Sequence, residues 1–349
     1  MGMTSAFHDV ASVPASGVYG SVAFPGNVAG EFHILLKACG VYDLSLRAKA
    51  ALTGSDRVRW LNGMITNNVR DLALNQGVYG FLLNPQGRIL GDLYAYNRGE
   101  SLIIDTDQGQ LPTVLALFDR YIIMDDVEVA NLDGKLTAIG VAGPGSRDIL
   151  RSAGLELTDL APLQVADMLW NDIKLTIVRN DNPAIESYEL WLAPEHISSL
   201  QEALIRAGAK SVGSEALDLM RIAAGMPRYG KDIRERDLPQ ETEQKRALHF
   251  TKGCYVGQEI VERIRSRGNV HRKFTGFEVD GQLPLPGTKI EANGKDIGEI
   301  TSSATLPVAT GGRSVALGYI RREAEKPGNE LSAGDARLTV ANLPFANIF

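Results

Sequence analysis

The sequence is poor in cysteine, with only Cys39 and Cys254 among its 349 residues. Two cysteines do not make the disulfide framework of a small secreted protein, so a reducing compartment is the simpler interpretation. Cys39 is predicted to lie in the core, so Cys254 alone could offer a thiolate. One thiolate cannot hold an iron–sulfur cluster, which normally takes four Cys ligands or a mixture of Cys and His. The five histidines show no metal-ligand spacing, and we therefore predict no permanently bound metal.

Long apolar runs and early basic residues are also missing from the chain. No stretch approaches the roughly 18 uninterrupted apolar residues that a membrane-spanning helix needs, and no Lys or Arg precedes Lys37. The second absence removes the basic start of a secretory signal and the Arg-rich face of a mitochondrial transit peptide. We therefore expect a cytoplasmic protein that does not associate with a membrane.

The chain has no overall excess of positive charge, since its net charge is −6. Nucleic-acid phosphates demand a basic footprint, so nucleic acid is not an expected partner. The charge is uneven, however, because residues 221–273 contain 13 Lys and Arg against 7 Asp and Glu. This basic segment could recruit an anionic small ligand, or it could be a solvated region in which charges cluster by chance.

Composition and periodicity predict a globular chain of two or three domains. Hydrophobic residues make up 44% and charged residues 22% of the sequence, which is ordinary globular usage. Helical and strand periods are mixed without strict alternation up to residue 268, and short β-type runs with Gly and Pro turns follow, which predicts a small β-barrel or sandwich. The predicted helices include 30–40, with Gly40 as C-terminal cap and Cys39 in the core, 55–61, 111–121 and 214–224.

A predicted hairpin carries the first candidate site residue. Its strands, 78–83 and 89–96, are joined by Asn84-Pro85-Gln86-Gly87, which is typical of a type I turn. Asp92 lies in the second strand, although Asp is disfavoured in strands. It therefore lies either at a solvated edge or in a partly apolar pocket, where a carboxylate could accept hydrogen bonds from a nitrogen-rich ring. Period two puts it on one face with three other side chains, Leu90, Tyr94 and Tyr96.

The most unusual segment is 252–259, with the sequence KGCYVGQE. Gly253 and Gly257 allow positive φ, so they can present Cys254 on a tight turn that enters a helix. Lys252 and the positive end of that helix would both favour the thiolate. From local chemistry alone, Cys254 is either a reactive or ligand-donating thiol or a small buried residue in a crowded loop.

Arg221 is a third candidate, at the apolar margin of the predicted helix 214–224. It either anchors an anion or caps nearby carbonyls as a snorkelling surface arginine. No Ser-His-Asp order or paired-carboxylate pattern forms a competing catalytic set.

The segment 252–259 resembles the signature of the YgfZ-type folate-binding proteins, which are relatives of the glycine cleavage T-protein, an aminomethyltransferase. Further matches follow in the same order at 40–45, 61–67, 83–92 and 221–241, so the resemblance covers nearly the whole chain. It implies an α+β fold of mixed sheets and helices with a folate site at the centre of three subdomains. Two interleaved α+β subdomains would occupy 1–250, a thiol-motif loop and helix 251–270, and a C-terminal β-barrel 271–349.

The resemblance also implies roles for individual residues. Asp92 occupies the position of the T-protein's essential carboxylate near the folate, and Arg221 matches an arginine that helps to bind the cofactor. Cys254 matches the thiol of the YgfZ branch, which T-proteins lack. We predict that Tyr94 and Lys252 also contribute to binding of tetrahydrofolate.

Two positions depart from the T-protein pattern. Its Gly-Glu-x-Gly segment is degraded at 184–189, so the acid that binds the pterin is either Glu186, after a shift of one residue, or missing. Asn68 replaces an Asp that is common in the T-protein. Both departures argue against ordinary aminomethyl transfer.

We therefore expect a tetrahydrofolate-binding accessory factor for assembly or repair of iron–sulfur clusters in client enzymes, with Asp92 and Cys254 carrying the chemistry. Its partners would be folate and iron–sulfur client or assembly proteins, with any contact to a cluster transient. The alternatives are a folate-dependent aminomethyltransferase or demethylase and a non-catalytic folate-binding module.

Overall fold

A computed structural model describes residues 27–268, 270–308 and 311–349. The early segment without basic residues therefore lies mostly outside the described residues, as does His8. The described helices are α1 (Val28–Lys37), α2 (Arg57–Met64), α3 (Leu111–Tyr121), α4 (Ser146–Ser152), α5 (Ile197–Arg206), α6 (Ser214–Ala223) and α7 (Gln258–Arg267). The described strands are β1 (Gly40–Asp43), β2 (Arg47–Thr53), β3 (Gly77–Leu83), β4 (Ile89–Asn97), β5 (Leu102–Asp107), β6 (Glu128–Asn131), β7 (Thr137–Ala142), β8 (Val165–Trp170), β9 (Ile173–Arg179), β10 (Ser187–Leu192), β11 (Lys210–Ser211), β12 (Arg272–Asp280), β13 (Lys289–Ala292), β14 (Lys295–Val308), β15 (Gly311–Arg321), β16 (Glu330–Ala333) and β17 (Ala336–Ala341).

Two mixed α/β layers precede the barrel, and the chain passes back and forth between them. A six-stranded sheet has the order β11-β1-β7-β10-β9-β8, in which only the β1–β11 pair is parallel. A five-stranded antiparallel sheet has the order β3-β4-β5-β2-β6. Because β1 and β2 are consecutive but lie in different sheets, the two layers are interleaved along the sequence.

The C-terminal strands close into a six-stranded barrel with the order β12-β15-β14-β13-β16-β17. Closure leaves no unpaired strand edge, which is how small all-β domains avoid edge-to-edge association. The barrel interior is apolar and includes Phe277, Ile300 and Leu338, all fully buried. Mixed sheets, helices and a closed barrel are the predicted fold class. The division of the chain at residues 250 and 270 stays a prediction.

The end of α1 differs from its prediction. The helix ends at Lys37 and Ala38 leaves helical geometry, so Gly40 is the first residue of β1 rather than a helix cap. A Cβ atom at Gly40 would lie 2.7 Å from Val212 Cγ2 and 2.9 Å from Leu35 Cδ2. Glycine is therefore required for close packing of this strand, and Cys39 beside it is buried in the core as predicted.

The hairpin β3–β4 forms with the predicted turn. The N–H of Gly87 donates to the carbonyl of Asn84 at 2.9 Å, and Gly87 has a φ of +72°. β4 then lies between β3 and β5 in the sheet. Pairing of β4 with β5 begins at Tyr94, however, so Asp92 lies just beyond that ladder, where its side chain is half-buried.

No helix within residues 27–268, 270–308 and 311–349 combines the length and the apolar character that crossing a bilayer requires.

Candidate functional site

A cavity of about 180 Å³ lies where the hairpin β3–β4, the helix α6 and the segment after it meet. Its wall includes two of the predicted site residues from the hairpin, Asp92 and Tyr94, and Arg221 from α6. We call it the central cavity. The remaining lining residues are Arg47, Tyr79, Leu93, Asp107, Leu217, Asp218, Met226, Pro227, Arg228, Tyr229 and Arg246.

Asp92 is half-buried in this wall, and each of its carboxylate oxygens accepts one hydrogen bond. Tyr79 donates its hydroxyl to Oδ2 at 2.6 Å, and Gln110 donates Nε2 to Oδ1 at 2.8 Å. Among the described residues, no Lys or Arg forms an ion pair with this carboxylate. Burial, followed by repulsion from Asp107, raises the pKa of Asp92. The group is therefore a hydrogen-bond acceptor with spare lone pairs, and the charge of Arg47 lowers its pKa by less than burial raises it.

Arg246 and two tyrosines form an aromatic and cationic part of the wall. The guanidinium of Arg246 lies 4.3 Å from the ring centroid of Tyr79 and donates to the hydroxyl of Tyr94 at 3.2 Å. Asp181 forms an ion pair with Arg246 and accepts from the Tyr94 hydroxyl at 3.1 Å. Burial alone would lower the pKa of Arg246, but Tyr94 and Asp181 outweigh it and raise the pKa. Flat faces of this kind can contact a planar ring.

Arg246 and Tyr79 line the cavity but were not predicted as site residues. The signal for Arg246 was its membership of the basic segment 221–273, which did not distinguish it from twelve other cations. Tyr79 belongs to the continuous run of buried residues in β3, so it resembled ordinary core packing.

Arg221 lines the cavity but is tied to protein groups. Its Nε donates to Asp218 at 2.8 Å, and Nη1 donates to Asp232 at 2.7 Å. Its Nη2 donates to Ser302 of the barrel at 3.0 Å, and Nη1 also reaches the carbonyl of Met226 at 2.8 Å. Arg221 therefore fastens α6 to the barrel and shapes the cavity wall.

Two predicted site residues lie elsewhere. Glu186 accepts from Arg147 Nε and the Tyr188 hydroxyl, both at 2.8 Å, and is not part of the cavity wall. Lys252 is buried, and its Nζ donates to the carbonyls of Asn62 and Ile65. The structure thus brings together Asp92, Tyr94 and Arg221 but not Glu186 or Lys252, because the last two are held by partners outside the cavity.

The thiol loop has the predicted backbone geometry. Gly253 and Gly257 have φ of +94° and +79°, and a Cβ atom at Gly257 would lie 2.5 Å from the carbonyl oxygen of Asn84. Cys254 is exposed and α7 begins four residues later, at Gln258. The alternative of a buried small residue is therefore wrong for Cys254. Burial, followed by the charge of Arg70, lowers the pKa of Lys252 to about 7, so this lysine is a weak source of positive charge for the thiol.

The positive charge of segment 221–273 is largely matched by carboxylates. Cations that contact an acid already contribute little net potential to a passing anion. The count of charges in the sequence therefore overstates the positive potential of the segment. The pairs are Arg234 and Arg236 with Glu299, Arg272 with Asp237 and Glu241, Lys273 with Glu243 and Glu325, Lys231 with Asp218, and Arg246 with Asp181.

Across the described part of the chain, no group of three or more His, Cys, Asp or Glu side chains is arranged to hold a metal ion. The expectation of no resident metal stays a prediction.

Comparison with known families gives two matches that together span most of the chain. The family described as the GCVT N-terminal domain matches residues 5–252. The family described as the glycine cleavage T-protein C-terminal barrel domain matches residues 272–345. The second range begins at the first strand of the barrel, β12, and extends past its last strand, β17.

Individual relatives agree with these matches. An aminomethyltransferase from Rubrobacter xylanophilus is 28% identical over 302 residues, which cover 85% of this chain and 80% of that protein. An aminomethyltransferase from Thermus thermophilus is 25% identical, covering 86% of this chain and 85% of that protein. The crystal structure of the glycine cleavage system aminomethyltransferase T from Bartonella henselae superposes with a TM-score of 0.82 at 23% identity, covering 92% of this chain and 90% of the other, and this likeness concerns the fold.

Proposed function

Because the chain belongs to the glycine cleavage T-protein family, we propose that it binds tetrahydrofolate and that the central cavity is the binding site. One observation carries the proposal, namely that Asp92, a carboxylate that forms no ion pair with any Lys or Arg the structure describes, faces the same cavity as Tyr79, Tyr94 and Arg246. A buried acceptor of this kind costs free energy unless a ligand or solvent satisfies it.

The chemistry and size of the cavity fit one end of such a ligand. The carboxylate of Asp92 would accept a hydrogen bond from a ring N–H, and Tyr79 and Tyr94 would contact the ring faces. A volume of about 180 Å³ is below the roughly 300 to 1,000 Å³ of pockets that enclose a whole drug-sized ligand. We therefore propose that the ring end is enclosed while the glutamate end lies outside the cavity.

Titration calorimetry with tetrahydrofolate tests this proposal. Asp92→Ala removes the central acceptor and should weaken binding at least tenfold, since a hydrogen bond to a charged group contributes about 1.5 to 3 kcal/mol. Asp148→Ala is the matched control, because Asp148 is an exposed acid on α4, outside the cavity. No binding by the unaltered protein, or equal binding by both variants, would contradict the proposal.

We propose one-carbon transfer as the first of two candidate functions of the bound folate. Tetrahydrofolate, when bound, supplies a carrier for a one-carbon unit, and the relatives named aminomethyltransferase support this use. Asp92 would orient the ring nitrogen that accepts the unit. Incubation with an aminomethyl donor should then yield methylene-tetrahydrofolate, while the donor nitrogen leaves as ammonia and the group that carried the aminomethyl unit takes up a proton, and Asp92→Ala should lose this activity.

Iron–sulfur maintenance is the second candidate, and the exposed thiol of Cys254 favours it. Glu186 adds support, because its ion pair with Arg147 leaves it outside the cavity where a transferase acid is expected. In this function the folate site supports assembly or repair of clusters in client enzymes, and Cys254 acts on the client side.

A complementation assay separates the two candidates. Deletion of the gene should lower the activity of iron–sulfur enzymes, and Cys254→Ala should fail to restore it, whereas Thr251→Ala, an exposed change in the same loop, should restore it. Full rescue by Cys254→Ala together with formation of methylene-tetrahydrofolate would favour the transferase. Resistance of Cys254 to alkylation in the folded protein, with neither activity present, would favour a folate-binding module without catalysis.

A further inference from the structure

Gln110 lies directly behind Asp92 and contacts it twice. Its Oε1 accepts from the backbone N–H of Asp92 at 3.0 Å, while its Nε2 donates to Oδ1 of the same residue at 2.8 Å. Gln110 is buried, with 9% of its surface exposed, and it is absent from the cavity wall. One side-chain amide outside the cavity lining therefore fixes both the main chain and the carboxylate of Asp92.

The sheet leaves room for this contact. β4 and β5 are paired from Tyr94 and Asp105 onwards, so Asp92 lies beyond the end of that ladder. On the open side, its carbonyl accepts from the Thr106 hydroxyl at 2.8 Å and its N–H is bound by Gln110. A Cβ atom at Gly91 would lie 3.2 Å from Gln110 Oε1, so glycine at this position lets the amide approach.

The two donors to the carboxylate have different access to a ligand. Tyr79 lines the cavity and would itself touch whatever binds there, whereas Gln110 can act only through Asp92. Both hydrogen bonds favour the ionised form of the carboxylate, which burial disfavours. With Oδ1 held by Gln110 and Oδ2 by Tyr79, rotation of the carboxylate is restricted and the remaining lone pairs have fixed directions.

We propose that Gln110 is a positioning residue, which holds the Asp92 carboxylate in the orientation that accepts a hydrogen bond from a folate ring nitrogen. This inference rests on the proposed binding of tetrahydrofolate in the central cavity. Such a residue does not touch the ligand, and its removal acts by freeing the acceptor to rotate and by altering its protonation.

Gln110→Glu gives a test that a purely structural role does not satisfy. The substitution is nearly isosteric, but it replaces the donor with a second carboxylate next to Asp92. Two carboxylates in contact cannot both ionise easily, so they repel at high pH and share a proton at lower pH. Calorimetry with tetrahydrofolate should show binding at least tenfold weaker than that of the unaltered protein at pH 8, and this ratio should fall at least threefold at pH 6.

Two further variants complete the experiment. Gln108→Glu introduces the same charge two residues away on an exposed side chain, and it should bind as the unaltered protein does at both pH values. Gln110→Met removes the donor without adding charge, so it should bind about tenfold more weakly at both pH values. It also decides the question if Gln110→Glu does not fold, as judged by circular dichroism.

Each outcome has one meaning for Gln110. Affinities of Gln110→Glu and Gln110→Met within twofold of the unaltered protein would overturn the inference, as would equal weakening of Gln110→Glu at pH 8 and pH 6. If the unaltered protein binds tetrahydrofolate and Asp92→Ala does not, such a result removes only the role of Gln110. Absence of binding by the unaltered protein would instead remove the proposed function itself.

Discussion

Two carboxylates near the central cavity are held in opposite ways. Asp232, which supports the wall next to the barrel, is fully buried and accepts four hydrogen bonds, from Arg221 at 2.7 Å, the Arg228 N–H at 3.0 Å, and the Thr301 and Ser302 hydroxyls at 2.6 and 2.7 Å. Asp92, in the wall formed by the hairpin, accepts from two neutral donors and has no ion-pair partner among the described residues.

This difference separates a structural acid from a candidate functional one. The charge of Asp232 is neutralised and its lone pairs are occupied, so it has nothing left to offer a ligand. Asp92 keeps an acceptor directed at a cavity and carries a raised pKa because of burial. Lys252 resembles Asp92 in one respect, because it is an ionisable side chain whose hydrogen-bond partners are uncharged. Its Nζ donates to two backbone carbonyls.

The largest effect on the free energy of unfolding is expected at the buried ion pair of Asp232 with Arg221. Asp232→Ala removes the fully buried countercharge of Arg221, which keeps its ion pair with Asp218, and leaves three further donors, from Arg228, Thr301 and Ser302, without this acceptor. Removing one partner of a buried pair typically costs about 3 to 5 kcal/mol. Urea unfolding should therefore show a loss of this size.

Asp148→Ala is the control for this prediction. Asp148 pairs with Arg151 on the surface of α4, and both side chains are mostly exposed, so its loss should change the free energy of unfolding by less than about 1 kcal/mol. A cost below about 1 kcal/mol for Asp232→Ala as well would mean that the two carboxylates do not differ as the contacts indicate.

The sequence predicted the backbone around Asp92 better than it predicted the side chains that gather there. The hairpin, its turn and the helix α3 follow from local periodicity and turn chemistry, and Asp92 was a candidate because an acid is unusual within a strand. The partners of these residues come from distant parts of the chain, for instance Arg246, which is 152 residues from Tyr94. Local patterns carry no information about such convergence, which is why Arg246 was missed, whereas Tyr79 lies opposite Tyr94 in the same hairpin and was missed because it resembled core packing.

The same limit applies to Glu186 and Lys252, which the structure does not place in the wall of the central cavity. Each residue lies in a segment that resembles a family motif, but the segment fixes only the backbone position. Whether the side chain faces the cavity depends on competing partners, such as Arg147 for Glu186 and the carbonyls of Asn62 and Ile65 for Lys252.

Lys252 should make stability depend on pH above neutrality. Its pKa is lowered from 10.5 to about 7 by burial in the folded protein, so between these values the unfolded chain binds more protons than the folded one. Stability should therefore rise with pH in this window, by at most about 1.4 kcal/mol per pH unit. Relative to Lys252→Met, the unaltered protein should gain about 2 kcal/mol between pH 7 and pH 9.

Urea unfolding of both proteins at several pH values measures this gain. Lys210→Met is the control, since Lys210 is exposed on β11 and its loss should leave the pH dependence unchanged. Parallel curves for the unaltered protein and Lys252→Met would show that burial does not perturb this lysine.

The smallest effect on the free energy of unfolding is expected from substitution of Asp92. Its sign is opposite to that of the Asp232 substitution. The folded-state pKa of Asp92 is raised by burial and by Asp107, so the ionised carboxylate costs free energy at pH values above both the unfolded and folded pKa. Asp92→Asn removes this charge at nearly the same volume and should therefore stabilise the protein at pH 8, while weakening tetrahydrofolate binding. The stabilisation should shrink as the pH falls through the raised pKa, because the unaltered carboxyl then becomes neutral as well.

Urea midpoints at pH 8 and pH 5 measure the stabilisation and its decrease at lower pH. A variant less stable than the unaltered protein at pH 8 would place Asp92 with Asp232 among the structural acids.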